Sequence, residues 1–163
     1  MEDYFAKIDS LVEATKDTSA NASANASGES CRDYMDEQSL IDYYWMQEFS
    51  KNGDAYSGSS TYLYKKRNGK LYWGPTWDFD WVAWGARSTD YRIDETGADA
   101  LELLSAAPWV ETLPVSDLEF RENVKKRWKV FSEKLTAAAS DGGMLDSFKN
   151  KYYYQALANY QVR

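Results

Sequence analysis

The pair Asn68-Gly69 sits between Thr61-Tyr62-Leu63-Tyr64 and Lys70-Leu71-Tyr72-Trp73, and it restricts the fold of this chain more than any other feature. Asn and Gly both tolerate left-handed backbone, and the β-branched and aromatic residues on either side suit extended strands, so the segment predicts a β-hairpin. Gly74-Pro75 ends the return strand, because proline has no N–H to give to a ladder. Elsewhere the hydrophobic period is helical. In residues 1–16, Phe5, Ile8, Leu11 and Val12 fall on one face. Ser39 with Asp42 three residues on reads as a helix start, the run Leu40–Phe49 as a largely buried helix, and Asn52-Gly53 as its stop. Residues 101–113 suggest short helices around Pro108. Residues 117–138 form a long helix with Phe120, Val124, Trp128, Phe131 and Leu135 in one stripe, Gly142-Gly143 breaks it, and residues 144–160 make a last helix. The expected fold class is therefore α+β, mainly helical, with residues 1–163 as a single domain.

Two stretches read as loops: the small, polar Asp17–Ser30, which is expected to be flexible, and residues 86–100. Aromatics make up 16% of the chain, too many for a disordered polymer. The net charge of −7 repels phosphate backbones and excludes general nucleic-acid binding. No window approaches ~18 consecutive apolar residues, so no membrane span is expected. Met1 is followed by Glu2 and Asp3 and not by a basic and then apolar stretch, so no signal peptide is expected there. Histidine is absent, which removes His-based triads, His-ligated zinc and imidazole proton shuttles. Cys31 is the single cysteine and, without a His partner, a poor nucleophile. Chemistry must come from carboxylates, amides, hydroxyls and cations.

The informative block is residues 36–85, where two acidic loci flank the hairpin: Asn52 with Asp54 before it, Asp78 with Asp80 after it. A helix delivering a loop Asp, then a hairpin, then an Asp past the second strand is the layout of a protein-kinase catalytic core. There one Asp orients the accepting hydroxyl, and the other holds Mg²⁺ through hard carboxylate oxygen. A turn-forming or capping role for these Asp residues is the plainer alternative. The Gly-rich loop and the His-Arg-Asp motif of ordinary kinases are missing, and Asp80 stands where a kinase has Gly. Paired carboxylates could also serve glycoside hydrolysis, although a single hairpin is not a sugar-binding cleft.

The run SLIDYYWMQEFSKNGDAY…STYLYKKRNGKLYWGPTWDFDWVAWG resembles the spore-coat protein H (CotH) family of atypical protein kinases. Pro108-Trp109, Phe120-Arg121 and Lys126-Arg127-Trp128 also look like that family's C-terminal helices, so the resemblance covers roughly residues 34–160. It implies a kinase C-lobe that passes the γ-phosphate of ATP to a protein Ser or Thr with Mg²⁺ or Mn²⁺. Asp54 would be the catalytic Asp and Asn52 would shape its loop. Asp78 and Asp80 would include the metal-binding Asp, with Asp80 slightly favoured. Trp77 and Trp81 would pack around the metal and nucleotide site, or simply in the core. Ser59 and Ser60 lie where a kinase offers Asn as its second metal ligand. Nothing before Asp36 reads as a nucleotide-gripping sheet. The chain is therefore expected to be the C-terminal half of a larger domain, inactive without its N-terminal part. The family implies an extracytoplasmic location in a bacterium, whether secreted, on the cell surface or on the spore. The second reading is a non-catalytic surface module that binds carbohydrate (such as a cell-surface glycan) or protein through exposed aromatics.

Overall fold

The computed structural model describes residues 2–16, 28–50, 52, 61–80, 83 and 108–161. Its elements are α1 (Glu2–Ala14), α2 (Cys31–Tyr34), α3 (Glu37–Ser50), β1 (Leu63–Lys65), β2 (Leu71–Trp73), α4 (Pro108–Ser116), α5 (Leu118–Ala139) and α6 (Met144–Gln161). The chain is thus α+β and mainly helical, as the periodicity predicts. It forms two compact units, residues 1–125 and 126–163, with the boundary inside α5.

In the first unit β1 and β2 pair antiparallel, Leu63 opposite Trp73 and Lys65 opposite Leu71. The connection is longer than the two-residue loop that Asn-Gly most often makes. The Gly69 N–H donates to the Lys66 carbonyl, and Asn68 takes the left-handed conformation at φ 60°. A short polar side chain makes that conformation affordable for Asn. β2 also forms a parallel bridge with Met35 on its other side, and the Asp36 N–H donates to the Leu71 carbonyl. The buried Leu71 is thereby fixed between two neighbours.

The last residue of the stretch read as a loop has a defined role. Ser30 is the N-cap of α2, in a capping box with Asp33. The start of α3 differs too. Asp36, and not Ser39, accepts the Ser39 N–H on its side chain at 2.8 Å. Ser39 Oγ instead donates to the Asp36 carbonyl and accepts the Trp73 N–H at 3.1 Å, which ties α3 to β2. The Ser39 hydroxyl can serve the neighbouring strand because Asp36, three residues earlier, already caps the helix.

The core joins Ile8, Leu11 and Val12 of α1 to Leu40 and Ile41 of α3, Leu71 of β2, Val110 and Leu113 of α4, and Phe120 of α5. Phe5 stacks on Trp109, and Trp109 Nε1 donates to Asp9. Cys31 is buried, in keeping with an inert thiol. Arg32 spans three elements, pairing with Glu37 of α3 and, at 2.7 Å, with Asp117, which caps α5 through the Phe120 N–H. Arg121 donates to the carbonyls of Pro114 and Val115.

In the second unit Gly142 and Gly143 turn the chain between α5 and α6. A Cβ at Gly143 would lie 2.5 Å from the Ala137 carbonyl oxygen, so only glycine fits. Tyr152, Tyr153 and Tyr154 are exposed at 45, 52 and 76%. Their helix has no buried residue among those described.

Replacing Arg32 with Met should cost about 3 kcal/mol, because it strands Glu37 and Asp117. Burial pushes the Asp117 carboxyl up, but the Arg32 hydrogen bond and the Phe120 N–H outweigh it, and the net shift is downward. That contribution is present above the ordinary Asp range and lost as pH falls through the depressed value. Urea unfolding at neutral and acid pH should show the Arg32→Met deficit shrinking in acid.

Candidate functional site

The described part of the block 36–85 is organised by the last two turns of α3. Tyr43 is buried and packs its ring 5.4 Å from that of Trp73. Its hydroxyl hydrogen-bonds to Thr61 and to Gln47. Gln47 is buried as well, and its side-chain oxygen accepts from Asn52 Nδ2 at 3.0 Å. Its backbone carbonyl accepts both the Asn52 N–H and Ser50 Oγ. Asn52 and Thr61 are thus fastened to one helical turn, one at each end of the segment 53–60. Asp54, the expected catalytic residue, is in that segment and lies outside the described residues, as do Ser59, Ser60 and Trp81. Asn52 is 1% exposed, which suits a residue that shapes a loop from beneath.

Past β2, the Gly74 N–H donates to the Tyr62 carbonyl at 2.9 Å and closes the hairpin. Asp78 follows at φ 63°. A non-glycine residue in left-handed backbone costs on the order of 1 kcal/mol, and such positions persist where surrounding structure imposes them, often at functional sites. Asp78 is half-buried, whereas Asp80 is exposed. Trp77 is not a core residue: it is 45% exposed, with its ring edge-on to Tyr62 at 5.2 Å between centroids. Among the described residues no group of three or more His, Cys, Asp or Glu side chains is placed to hold a metal. No described helix is long and apolar enough to cross a membrane.

The sequence model of the family described as CotH kinase protein matches residues 2–151, most of the chain. The chain belongs to the CotH kinase family. No curated protein and no solved structure matches it. The CotH match starts well before the resemblance expected from residue 34, so α1 and α2 fall within the matched region. They contribute Ile8, Leu11, Val12 and Cys31 to the core that also buries Leu40 and Leu71.

Three residues of this turn escape a motif reading: Tyr43, Gln47 and Glu48. Their signal in the sequence is slight, a polar pair inside the otherwise apolar run Tyr43-Tyr44-Trp45-Met46-Gln47-Glu48-Phe49. Glu48 is 1% exposed, and neither carboxyl oxygen has a partner. Burial pushes its carboxyl up to about 8. Burial, followed by the charge of Glu48, also raises the Tyr44 hydroxyl.

A raised acid means that the folded chain holds a proton which the unfolded chain releases. Stability is therefore full below pH 4.5, the ordinary value, and declines as pH rises toward about 8. The slope is at most about 1.4 kcal/mol per pH unit, and it levels off once the folded carboxyl ionises too. Urea midpoints across this range should fall for the wild type, and the isosteric Glu48→Gln should remove that component of the slope.

Proposed function

We propose that this chain is the C-terminal lobe of a CotH-type atypical protein kinase and that, joined to the N-terminal part of its domain, it transfers the ATP γ-phosphate to protein Ser or Thr. The observation that carries this reading is the family match, which includes the whole block from α3 through Asp78-Phe79-Asp80. The donor set fits a divalent ion. Asp78 and Asp80 offer hard carboxylate oxygens directly after a hairpin strand, and such oxygens are what Mg²⁺ or Mn²⁺ selects. The imposed backbone at Asp78 favours it over Asp80 as the principal ligand. When bound, the metal with ATP supplies neutralisation of the phosphate charge.

The chain's own residues have positioning roles. Asp54 accepts or orients the proton of the incoming hydroxyl, which must approach in line with the leaving oxygen. Asn52, anchored on Gln47, fixes where the Asp54 segment leaves the helix. Thr61, anchored on Tyr43, fixes where that segment returns to the sheet. Carboxylates fixed before substrate binds need little reorganisation to act on it. The CotH family's association with the spore coat supports an extracytoplasmic location in a bacterium.

A second reading rests on the exposed rings of the hairpin. Tyr62, Tyr64 and Trp77 are 46, 50 and 45% exposed, and Tyr64 stacks on Tyr72 at 5.2 Å. Such rings suit a sugar or a protein surface, although the edge-on Trp77 breaks up a flat platform.

Titration of Mg²⁺ and Mn²⁺, with and without ATP, into this chain and into a form extended upstream tests both readings. The extended form should bind nucleotide only with metal. Asp78→Asn, which tolerates the same backbone, should lower that affinity by about 100-fold or more. Asp54→Ala should abolish transfer while leaving binding in place, and Asp80→Ala should weaken binding less than Asp78→Asn. Absence of metal-dependent nucleotide binding in both forms would overturn the kinase reading. Glycan binding lost in Trp77→Ala would then support the second.

A further inference from the structure

The hairpin is covered along the β2 edge and open along the β1 edge. The Gly74 N–H donates to the Tyr62 carbonyl, so Tyr62 and Gly74 form a hydrogen-bonded pair of the ladder. In an antiparallel ladder such pairs alternate with pairs whose N–H and C=O groups point away from each other. The register therefore makes Tyr64 and Tyr72 a bonded pair and turns the backbone groups of Leu63, Lys65, Leu71 and Trp73 outward. On the β2 side the Leu71 carbonyl accepts the Asp36 N–H, and the Trp73 N–H donates to Ser39 Oγ. On the β1 side the outward N–H and C=O groups of Leu63 and Lys65 have no partner among the described residues. An edge of this kind is a template for one more strand.

The side chains around that edge select what the added strand carries. Lys66, Arg67 and Lys70 frame the turn, all three are exposed, and none has an ion-pair partner among the described residues. No acidic residue occurs from Thr61 through Trp77, although the whole chain carries −7. Lys65 lies over the Tyr4 ring at 4.6 Å, which keeps a fourth cation beside the edge. Tyr64, in the middle of β1, is half-exposed and gives the side chains of an added strand an apolar neighbour. Lysines beside an edge discourage pairing, because a neutral strand strips water from them and returns nothing. A strand that bears carboxylates returns ion pairs. We propose that the free edge of β1 docks an extended, acidic segment of a partner protein, which adds a third strand and sets its carboxylates against Lys66, Arg67 and Lys70. Main-chain bonds to Leu63 and Lys65 align the segment, and the cations select it. The site uses neither ATP nor metal and stands apart from the kinase reading.

Fluorescence anisotropy of the full chain with a labelled peptide of alternating Thr and Glu tests this, with matched peptides carrying Lys for Glu or Pro for Thr. The acidic peptide should bind, and added salt should weaken it. The Lys peptide should not bind. The Pro peptide should bind at least about tenfold more weakly, because it lacks the N–H groups that a ladder needs. Combining Lys66→Glu, Arg67→Glu and Lys70→Glu should lower affinity for the acidic peptide by about tenfold or more. In NMR of the isotope-labelled chain, the Leu63 and Lys65 amides should exchange with solvent about tenfold more slowly once the acidic peptide is bound. The Tyr64 amide, already paired with β2, should change little. No binding of the acidic peptide would overturn the proposal, as would equal binding of the Lys peptide. Acidic-peptide binding that leaves the Leu63 and Lys65 amides unprotected would also overturn it, leaving a general anion patch at the turn. Peptide choice and amide exchange are read on the wild type, so the outcome does not depend on whether the triple variant folds.

Discussion

Burial of the C-terminal turn of α3 is the constraint on which the functional half of this chain depends. The last carbonyls of a helix need partners, and Gln47, Glu48 and Ser50 are buried here. The Gln47 carbonyl is therefore met by Asn52 and Ser50, and the Gln47 side chain by Asn52 and Tyr43. These bonds satisfy the helix end, and they also determine where the chain may leave it and where it must come back. Both Asn52 and Thr61 are thereby bonded to side chains of α3. A buried polar network of this kind specifies one geometry when every member is satisfied. Glu48 is the member left out, and protonation is how a carboxyl without partners tolerates such a place.

The hairpin depends on the same helix. A two-stranded ribbon is marginal in water, so β2 needs support on its far side. It receives that support from Met35, from the Asp36 N–H and from Ser39 Oγ against Trp73. The strands are short, but each is held by groups already fixed in the core. That support keeps the segment after β2 in place, and the left-handed backbone of Asp78 is imposed at its end. Arg32 does comparable work between α2, α3 and the cap of α5, where burial makes its loss costlier than an exposed ion pair would be.

Helix existence and type were legible wherever apolar residues repeat at helical spacing, as in α1 and α5. Helix starts were less so, because several residues near each start can cap. Ser39 carries a capping signature, but Asp36 lies three residues earlier and takes the cap, which frees the Ser39 hydroxyl for β2. Hydrophobic content alone does not place Trp77 or the Tyr152–Tyr154 run: an aromatic ring predicts burial only if a partner surface faces it, and local sequence cannot say which rings have one.

By itself the sequence determined the mainly helical α+β class, the hairpin, the exclusion of histidine chemistry and the acidic block, which lies in a run that resembles the CotH kinase family. Those follow from periodicity, turn chemistry and residue inventory, which are local. Tertiary structure decided that Gln47 bonds Asn52 and Tyr43 bonds Thr61, that Glu48 is buried with its carboxyl unpartnered, and that Asp78 rather than Asp80 takes left-handed backbone. Burial and hydrogen-bond partners arise when α3 packs against β2, and a polar residue's chemistry depends on the medium and partners around it.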